Sequence, residues 1–488
     1  MLTSFKKNNR LGSFVGQDQK QLALQEIIAD LESGGNYINS RELNKILPLD
    51  ESLQQYLLSK FQAHSPLSLW VDFRFSNTEQ KAGFIKLYSQ ICNIIKLDNI
   101  TINCEEIDLE QFKGLLQDTL ASDVHKVVVY VYTPEQFVAI NQDFYSSHKI
   151  LHELALNFNY YTEKDENKDY KLLDGMIGKV QQIVFYGIPK STIVISSLHD
   201  FLKKNTILKG LKIVNNNGDQ IYANPLLIAL QENKHAKLEV LDFYQCPKWR
   251  LGEKCKDDFI VNLVKYFSQP DFRSELKILK LDNCGLCSTD IEYISEIIKN
   301  SDKLEEVSLN RNEAAMSERS IGILSKAIQS SKLRKLDISS ITNCNTDKIF
   351  LDFLDQLHLP DTLEALYCTD NVLGMSGWEK VQSLLARSPN LKKVSISINL
   401  SYEKDLDSFV KSINCFTTLG KIEGGIYFMG SEKSYIDKDL CIDKYISEKL
   451  RPEVQKYIKM EKKNSFLHIT IDLPSMQPIN NLSSKLKL

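Results

Sequence analysis

The sequence predicts an α/β protein, a curved solenoid with a parallel β-sheet on its concave face and helices on its convex face. Two observations carry the prediction. A short apolar motif spaced L-x-x-L-x-L returns along most of the chain at steps of roughly 27 to 30 residues, and after each copy the apolar residues change from alternation to helical intervals. A third concerns domain count. A chain of 488 residues would make about three ordinary domains, but repeated units lengthen one core instead of adding separate ones.

Residues 1–66 carry helical patterns, such as Leu22, Leu24, Ile27, Ile28 and Leu31. They are expected to form a helical cap, because the first unit of a stack otherwise exposes its apolar end. Within them "LPLDESLQQYLLSKF", Leu47 to Phe61, resembles the start of an F-box, the helical motif that docks ubiquitin-ligase adaptors, but too little chain follows for a complete one.

The repeats occupy 67–424. A clear copy is "ELKILKLDNCGLC", in which Leu276, Leu279 and Leu281 are followed by Cys284. The same register returns at Leu304, Val307, Leu309 and Asn312; at Leu333, Leu336 and Ile338; at Leu363, Leu366, Cys368 and Asn371; and at Leu391, Val394, Ile396 and Asn399. Toward the N-terminus it recurs at Leu238, Leu241, Phe243 and Cys246, and at Leu208, Leu211, Ile213 and Asn216. Weaker copies begin at Val180, Leu151, Val124 and Leu97, and a faint one at Trp70 with Phe73 and Phe75. The step from Leu238 to Leu276 is longer, so one unit carries an insertion, expected near Cys246 to Asp258.

Each unit makes physical sense. The motif suits a short strand; the residues after it form helical stripes such as Ile291, Ile294 and Ile298, with Ser288 or Thr289 as the expected N-cap, or Ile321, Leu324 and Ile328. Strand and helix each have one apolar face, so stacked units close a core between a sheet and a helix layer. Strands pack about 4.8 Å apart and helices about 10 Å. That mismatch bends the stack with the strands inward.

Residues 425–488 break the period. Ser434 to Lys463 is charged and largely helical in pattern, Phe466 to Leu473 alternates like a strand able to close the sheet as a final, irregular unit, and the tail "SSKLKL" reads as unstructured. These residues are expected to form a C-terminal helical and strand cap with a flexible tail. Ser484 to Leu486 spell a peroxisomal tripeptide but are not terminal.

The motif L-x-x-L-x-L-x-x-N/C followed by a helix, at a period near 28, resembles the ribonuclease-inhibitor-like class of leucine-rich repeat proteins. In that class the Asn or Cys packs inside the turn and satisfies backbone groups; the resemblance gives this role to Asn159, Asn216, Cys246, Cys284, Asn312, Asn371 and Asn399. Ile188 and Ile341 stand there instead in two units, and their turns are expected to be less regular. The resemblance implies a protein-binding scaffold. It also admits a regulatory module, a GTPase activator or ubiquitin-ligase substrate adaptor, although the acidic C-terminal tract of the Ran activators in this class is missing. The richness in Lys, Asn and Ile is similar to that of effectors that bacteria such as Legionella deliver into host cells.

Other chemistry finds little support. A net charge of -3 gives no basic field for nucleic acid, and no run of about 18 apolar residues would insert in a membrane. Ten scattered cysteines suit reduced thiols in a cytosol, so the expected location is cytoplasmic, or the host cytosol after delivery. Cys284 is explained by its repeat position; the alternative joins it with Cys246, Cys255 and Cys287 around zinc. His148 and His152 lack the glutamate of H-E-x-x-H, and neither G-x-S-x-G nor a phosphate-binding loop occurs. No catalytic residue, cofactor or metal is expected, and the chain reads as non-enzymatic.

A protein partner then needs a surface. The apolar positions point inward, so the third, fifth and seventh positions of each motif face out across the sheet. The seventh gives Tyr130, Asn157, Tyr186, Val214, Tyr244, Asp282 and Asn310; the fifth adds Lys212, Asp242 and Lys280, and the third Glu153 and Glu306. Three tyrosines on alternate units would stand about 10 Å apart. Two readings stay open. Tyrosine suits any strand surface, and it is also enriched at binding hot spots.

Overall fold

The computed structural model describes residues 14–72, 78–103, 107–122, 124–130, 135–136, 138–140, 142, 151–157, 174–187, 192–214, 223–233, 235–245, 275–312, 316–342, 347–388, 390–399, 407–411, 422–427, 448–449, 458–463 and 466–471. They belong to two compact units, Met1–Asn217 with Ile228–Ala236, and Gly218–Leu227 with Lys237–Leu488.

The first unit contains α1 (Phe14–Glu32), β1 (Tyr37–Asn39), α2 (Ser40–Ile46), α3 (Glu51–Ala63), β2 (Leu67–Asp72), α4 (Thr78–Ile94), β3 (Leu97–Asn103), α5 (Leu109–Ala121), β4 (Val124–Tyr130), β5 (Leu151–Asn157), β6 (Val180–Tyr186), α6 (Thr192–Lys204) and β7 (Gly210–Val214). β1 to β7 pair in chain order, all parallel. Helix α7 (Ala223–Glu232) comes next along the chain.

The second unit continues with β8 (Val240–Tyr244), β9 (Ile278–Asp282), α8 (Ser288–Asn300), β10 (Glu306–Ser308), α9 (Glu318–Gln329), β11 (Lys335–Asp337), α10 (Asp347–Gln356), β12 (Ala365–Leu373), α11 (Met375–Ala386), β13 (Lys393–Asn399), β14 (Ile422–Tyr427), β15 (Ile458–Lys463) and β16 (Phe466–Ile471). β8 to β14 are parallel and in order. β16 then pairs antiparallel with β14, and β15 antiparallel with β16. In neither unit do the strands close into a barrel. Among the described residues no helix is long and apolar enough to cross a membrane.

The repeat register is the pairing register. Ile100, Val127, Leu154, Ile183 and Leu211 stand side by side in the first unit, and Leu241, Leu279, Val307, Leu336, Leu366, Val394 and Ile422 in the second. β8 and β9 pair directly, so the longer step of the sequence leaves the sheet unbroken; residues 246–258 themselves lie outside the described residues. Parallel neighbours joined by helices need right-handed crossovers, which bring the helices to one face and leave the other open. The first, fourth and sixth motif positions turn inward: Leu276, Leu279 and Leu281 are fully buried, as are Ile291, Ile294 and Ile298 of α8.

Among the described residues six strands share one turn. The eighth position adopts a left-handed backbone, φ 53° at Gln245, 53° at Asn283, 59° at Arg311, 50° at Ser340, 59° at Asp370 and 72° at Gly187. Only at Gly187 is the conformation free of a side-chain penalty. At Asn283, Arg311 and Ser340 the amide of that residue extends the ladder by donating to the next strand's end, at Asn310, Ser339 and Thr369. Buried Asn312 and Asn371 complete the turns. Asn312 donates to the carbonyls of Leu281 and Leu309, and its Oδ1 accepts from the N–H groups of Cys284 and Leu286.

Several expectations need correction. Ile341 does not loosen its turn: it is fully buried, and its N–H reaches Asn371 Oδ1 at 2.9 Å. The physical reason is that the amide organising a turn comes from the following unit, so the turn tolerates its own apolar residue. Trp70 is not a first motif position. Leu69 pairs with Ile100, so Leu67, Leu69 and Val71 face the core and Trp70 faces away. Residues 1–66 contribute a strand as well as helices, since β1 pairs with β2. The stretch ending at Lys463 is not all helical, because β15 is held by the ladder of β16. Cys287, not Ser288 or Thr289, is the N-cap of α8, and its N–H donates to Asp290 Oδ2 at 2.8 Å. Ile188, Asn159, Asn216 and Cys246 lie outside the described residues.

Candidate functional site

The candidate surface is the open face of the strands in each unit, fixed by their two-residue alternation. On the first unit it is aromatic. The rings of Trp70 and Tyr130 lie 6.2 Å apart and tilted by 35°, and those of Tyr130 and Tyr186 lie 5.7 Å apart at 31°. The tyrosines come together because the floor under them is apolar: Val128, Ala155 and Val184 stand side by side at the fifth position of β4, β5 and β6, buried beneath Tyr130 and Tyr186. The separation of about 10 Å expected from strand spacing therefore does not hold. The rings lean across the intervening strand. Burial, then the neighbouring Tyr186 phenol and the hydrogen bond with it, push the Tyr130 hydroxyl up to about 12, so it remains protonated. Glu153 is paired with Lys126 at 2.7 Å, and Lys212 continues the Val184 row on β7.

On the second unit the same face is charged. Glu306 accepts from both Lys280 and Lys335 at 2.9 Å. Burial alone would raise its carboxyl, but the bonds from Lys335 and Lys280 outweigh this and hold it below the ordinary range. Asp282 Oδ1 accepts from Ser308 Oγ at 2.5 Å and from the Asn310 N–H at 3.0 Å. Burial, assisted by the charges of Asp337 and Asp242, nevertheless pushes it up to about 6 against the pull of those bonds. Asp242 is only 8% exposed, so it offers a partner less surface than its position implies. Tyr244 pairs with Asp282 across β8 and β9. Beyond these, Tyr367 lies between two ammonium groups, Lys335 at 5.4 Å and Lys393 at 5.3 Å from its ring centre.

All nine residues expected at the surface, Tyr130, Glu153, Tyr186, Lys212, Asp242, Tyr244, Lys280, Asp282 and Glu306, stand on strands at the third, fifth or seventh position. Sequence reasoning missed Trp70, Ser308, Lys335, Asp337, Tyr367 and Lys393. The last five were legible by carrying the same rows into the following units; Trp70 was hidden by its misassigned register. Asn157 is on β5, and its side chain lies outside the described residues.

The cysteines of the segment "ELKILKLDNCGLC" have structural uses. The buried Cys284 thiol donates to the carbonyls of Phe243 and Asp282, at 3.3 and 3.4 Å, while the exposed Cys287 begins α8. Among the described residues no three metal-ligating side chains converge; Cys246 and Cys255 lie outside them. The fold thus defines an α/β protein of parallel strands with helices on one face. Neither a known protein family nor a characterised protein matches this sequence.

Proposed function

We propose that this protein is a non-enzymatic scaffold of the leucine-rich repeat horseshoe type, which captures a protein partner on its concave sheet face and acts as a bacterial effector in host cells. The observation that carries the reading is the half-buried cluster of Trp70, Tyr130 and Tyr186 on the open face of the first unit. Large rings with one polar group, set on a rigid sheet, give contact area at little cost in side-chain entropy. The charged rows around Lys280, Asp282 and Glu306 supply orientation, since charges at an interface select a partner more than they tighten it.

The test is affinity capture from host-cell lysate by the purified chain, compared with a Tyr186→Ala, Tyr244→Ala double variant that keeps its circular dichroism. Capture is expected to weaken at least tenfold, about 1.4 kcal/mol. Undiminished capture by the folded variant moves the interface elsewhere, first to residues 246–258.

A further inference from the structure

We infer that the N-terminal ends of strands β8 to β13 in the second unit form a further interaction surface, whose partner is another copy of this chain bound about a two-fold axis between Glu305 and Arg334. This surface is separate from the open sheet face used in the reading above. Immediately before each strand the second motif position alternates in charge: Glu239, Lys277, Glu305, Arg334, Glu364 and Lys392. These six are adjacent rungs, since the carbonyl of each accepts the N–H of the next. At a strand spacing of about 4.8 Å the row spans about 24 Å. Read backwards, it has cations where it has carboxylates forwards. A copy turned about an axis at its centre therefore sets Glu239 against Lys392, Lys277 against Glu364 and Glu305 against Arg334, and each contact is made twice.

Bonding within the chain leaves charge unspent at the centre of the row. Lys277 bonds Glu239 at 2.7 Å, and Glu364 takes Arg334 at 2.6 Å and Lys392 at 2.9 Å. Glu305, between them, is exposed, and among the described residues its side chain makes neither a hydrogen bond nor an ion pair. Arg334 spends its Nε and one Nη on Glu364 Oε1, and a guanidinium has five N–H donors, so its other Nη can take the Glu305 carboxylate of a second copy. The loops follow the same exchange. Asp302 precedes β10 and Lys332 precedes β11; both are exposed and without a side-chain bond among the described residues, and the axis brings each toward the other, while Lys303 is held by Glu275 at 2.9 Å. The groove here, about 690 Å³, is lined by five cations and four carboxylates. A polyanion or a polybasic segment would meet like charge at every second rung. An occupant of alternating charge does not, and this chain carries one in the required order. Charge then sets the register, and the methylene stems of Lys and Arg add apolar contact.

The experiment is sedimentation equilibrium of the full chain in dilute buffer and in about 1 M salt. A monomer–dimer equilibrium is expected in dilute buffer, with association at least tenfold weaker in salt, where the Debye length falls to about 3 Å. Glu305→Arg alone and Arg334→Glu alone each set like charges together twice, and each is expected to associate at least tenfold more weakly than the parent. An equimolar mixture of the two variants restores both contacts and is expected to dimerise as the parent does, which no role of the ladder within one chain would produce. Glu305→Gln removes an exposed, unbonded charge; it serves if the reversed variants do not fold, and is expected to weaken association severalfold. A chain that stays monomeric in dilute buffer up to its solubility limit overturns the proposal. So does a dimer unmoved by salt, a mixture no more associated than its components, or a Glu305→Gln variant that associates like the parent. The Tyr186→Ala, Tyr244→Ala variant is expected to keep the dimer, so this inference and the scaffold reading fail separately.

Discussion

Asp282 shows how one residue can weaken a fold it decorates. Its carboxyl sits at about 6 in the folded protein, mainly through burial and then through Asp337 and Asp242, against about 3.9 in an unfolded chain. The folded state therefore binds the proton more tightly. Between about pH 6 and pH 4 stability from this residue grows as pH falls; above pH 6 the ionised group costs the folded state about 3 kcal/mol. Asp282→Asn keeps an acceptor for Ser308 and Asn310 and removes the charge. Urea denaturation at pH 7 is expected to show the variant more stable than the parent, with the difference shrinking toward zero by pH 4. A constant difference across that range would remove Asp282 as its source. Asn312 lies at the opposite extreme, since its buried amide joins the turns of two units and leaves few of their polar groups unpaired.

Elements here are stabilised by what lies beside them in the stack. Leu279 is fully buried on a strand flanked on both sides, so Leu279→Ala is expected to cost roughly 2 to 5 kcal/mol in denaturant unfolding. Lys280→Ala, its neighbour on the open face, is the control and should change the midpoint less, because Glu306 keeps Lys335 when Lys280 is removed. Equal effects would contradict the assigned facing. At the second motif position the charges alternate from strand to strand: Glu239, Lys277, Glu305, Arg334, Glu364 and Lys392. Lys277 bonds Glu239 at 2.7 Å, while Glu364 receives Arg334 at 2.6 Å and Lys392 at 2.9 Å. From Lys277 to Lys392 this ladder lines a groove of about 690 Å³ with Lys303, Lys332 and Asp302. Glu364→Lys would set three cations in a row. A lower thermal midpoint is expected in dilute buffer, with the loss reduced in 1 M salt, where screening is nearly complete; a loss indifferent to salt would point to packing instead.

At the scale of the molecule, a stack of nearest-neighbour units depends on its ends. The first unit is closed by α1, α2 and α3 together with β1, which pairs with β2 over buried Leu67, Leu69 and Val71. Removing residues 1–63 would uncover that strand's backbone edge and the apolar residues beneath it. The shortened chain is expected to aggregate, eluting ahead of the full chain in size-exclusion chromatography. A monodisperse product with the parent's unfolding midpoint would show that the cap is dispensable. The second unit ends differently, with β16 and β15 reversing direction after β14. An antiparallel hairpin needs no helix to return the chain, which is why the helical period stops before it.

The sequence by itself determined the α/β class and, for β3 to β7 and for β8 to β13, the parallel register and the inward face. It could do so because these are properties of local periodicity: Leu279 and Leu281 declare their side of the sheet by alternation, and Ile291, Ile294 and Ile298 theirs by helical spacing. Asn312 was legible for the same reason, as one position of a repeat. Only the tertiary structure decided which turn each asparagine serves, because its amide acts across 26 to 31 residues of chain. It also decided the facing of Trp70, where a faint local pattern yielded to pairing with β3, and the strand at β15, which exists through its partner. The open face depended most on three dimensions. That Tyr130 and Tyr186 touch, and that Asp282 holds its proton near pH 6, follow from Val128, Ala155, Val184, Asp242 and Asp337 on other strands, and packing and charge act through distance in space.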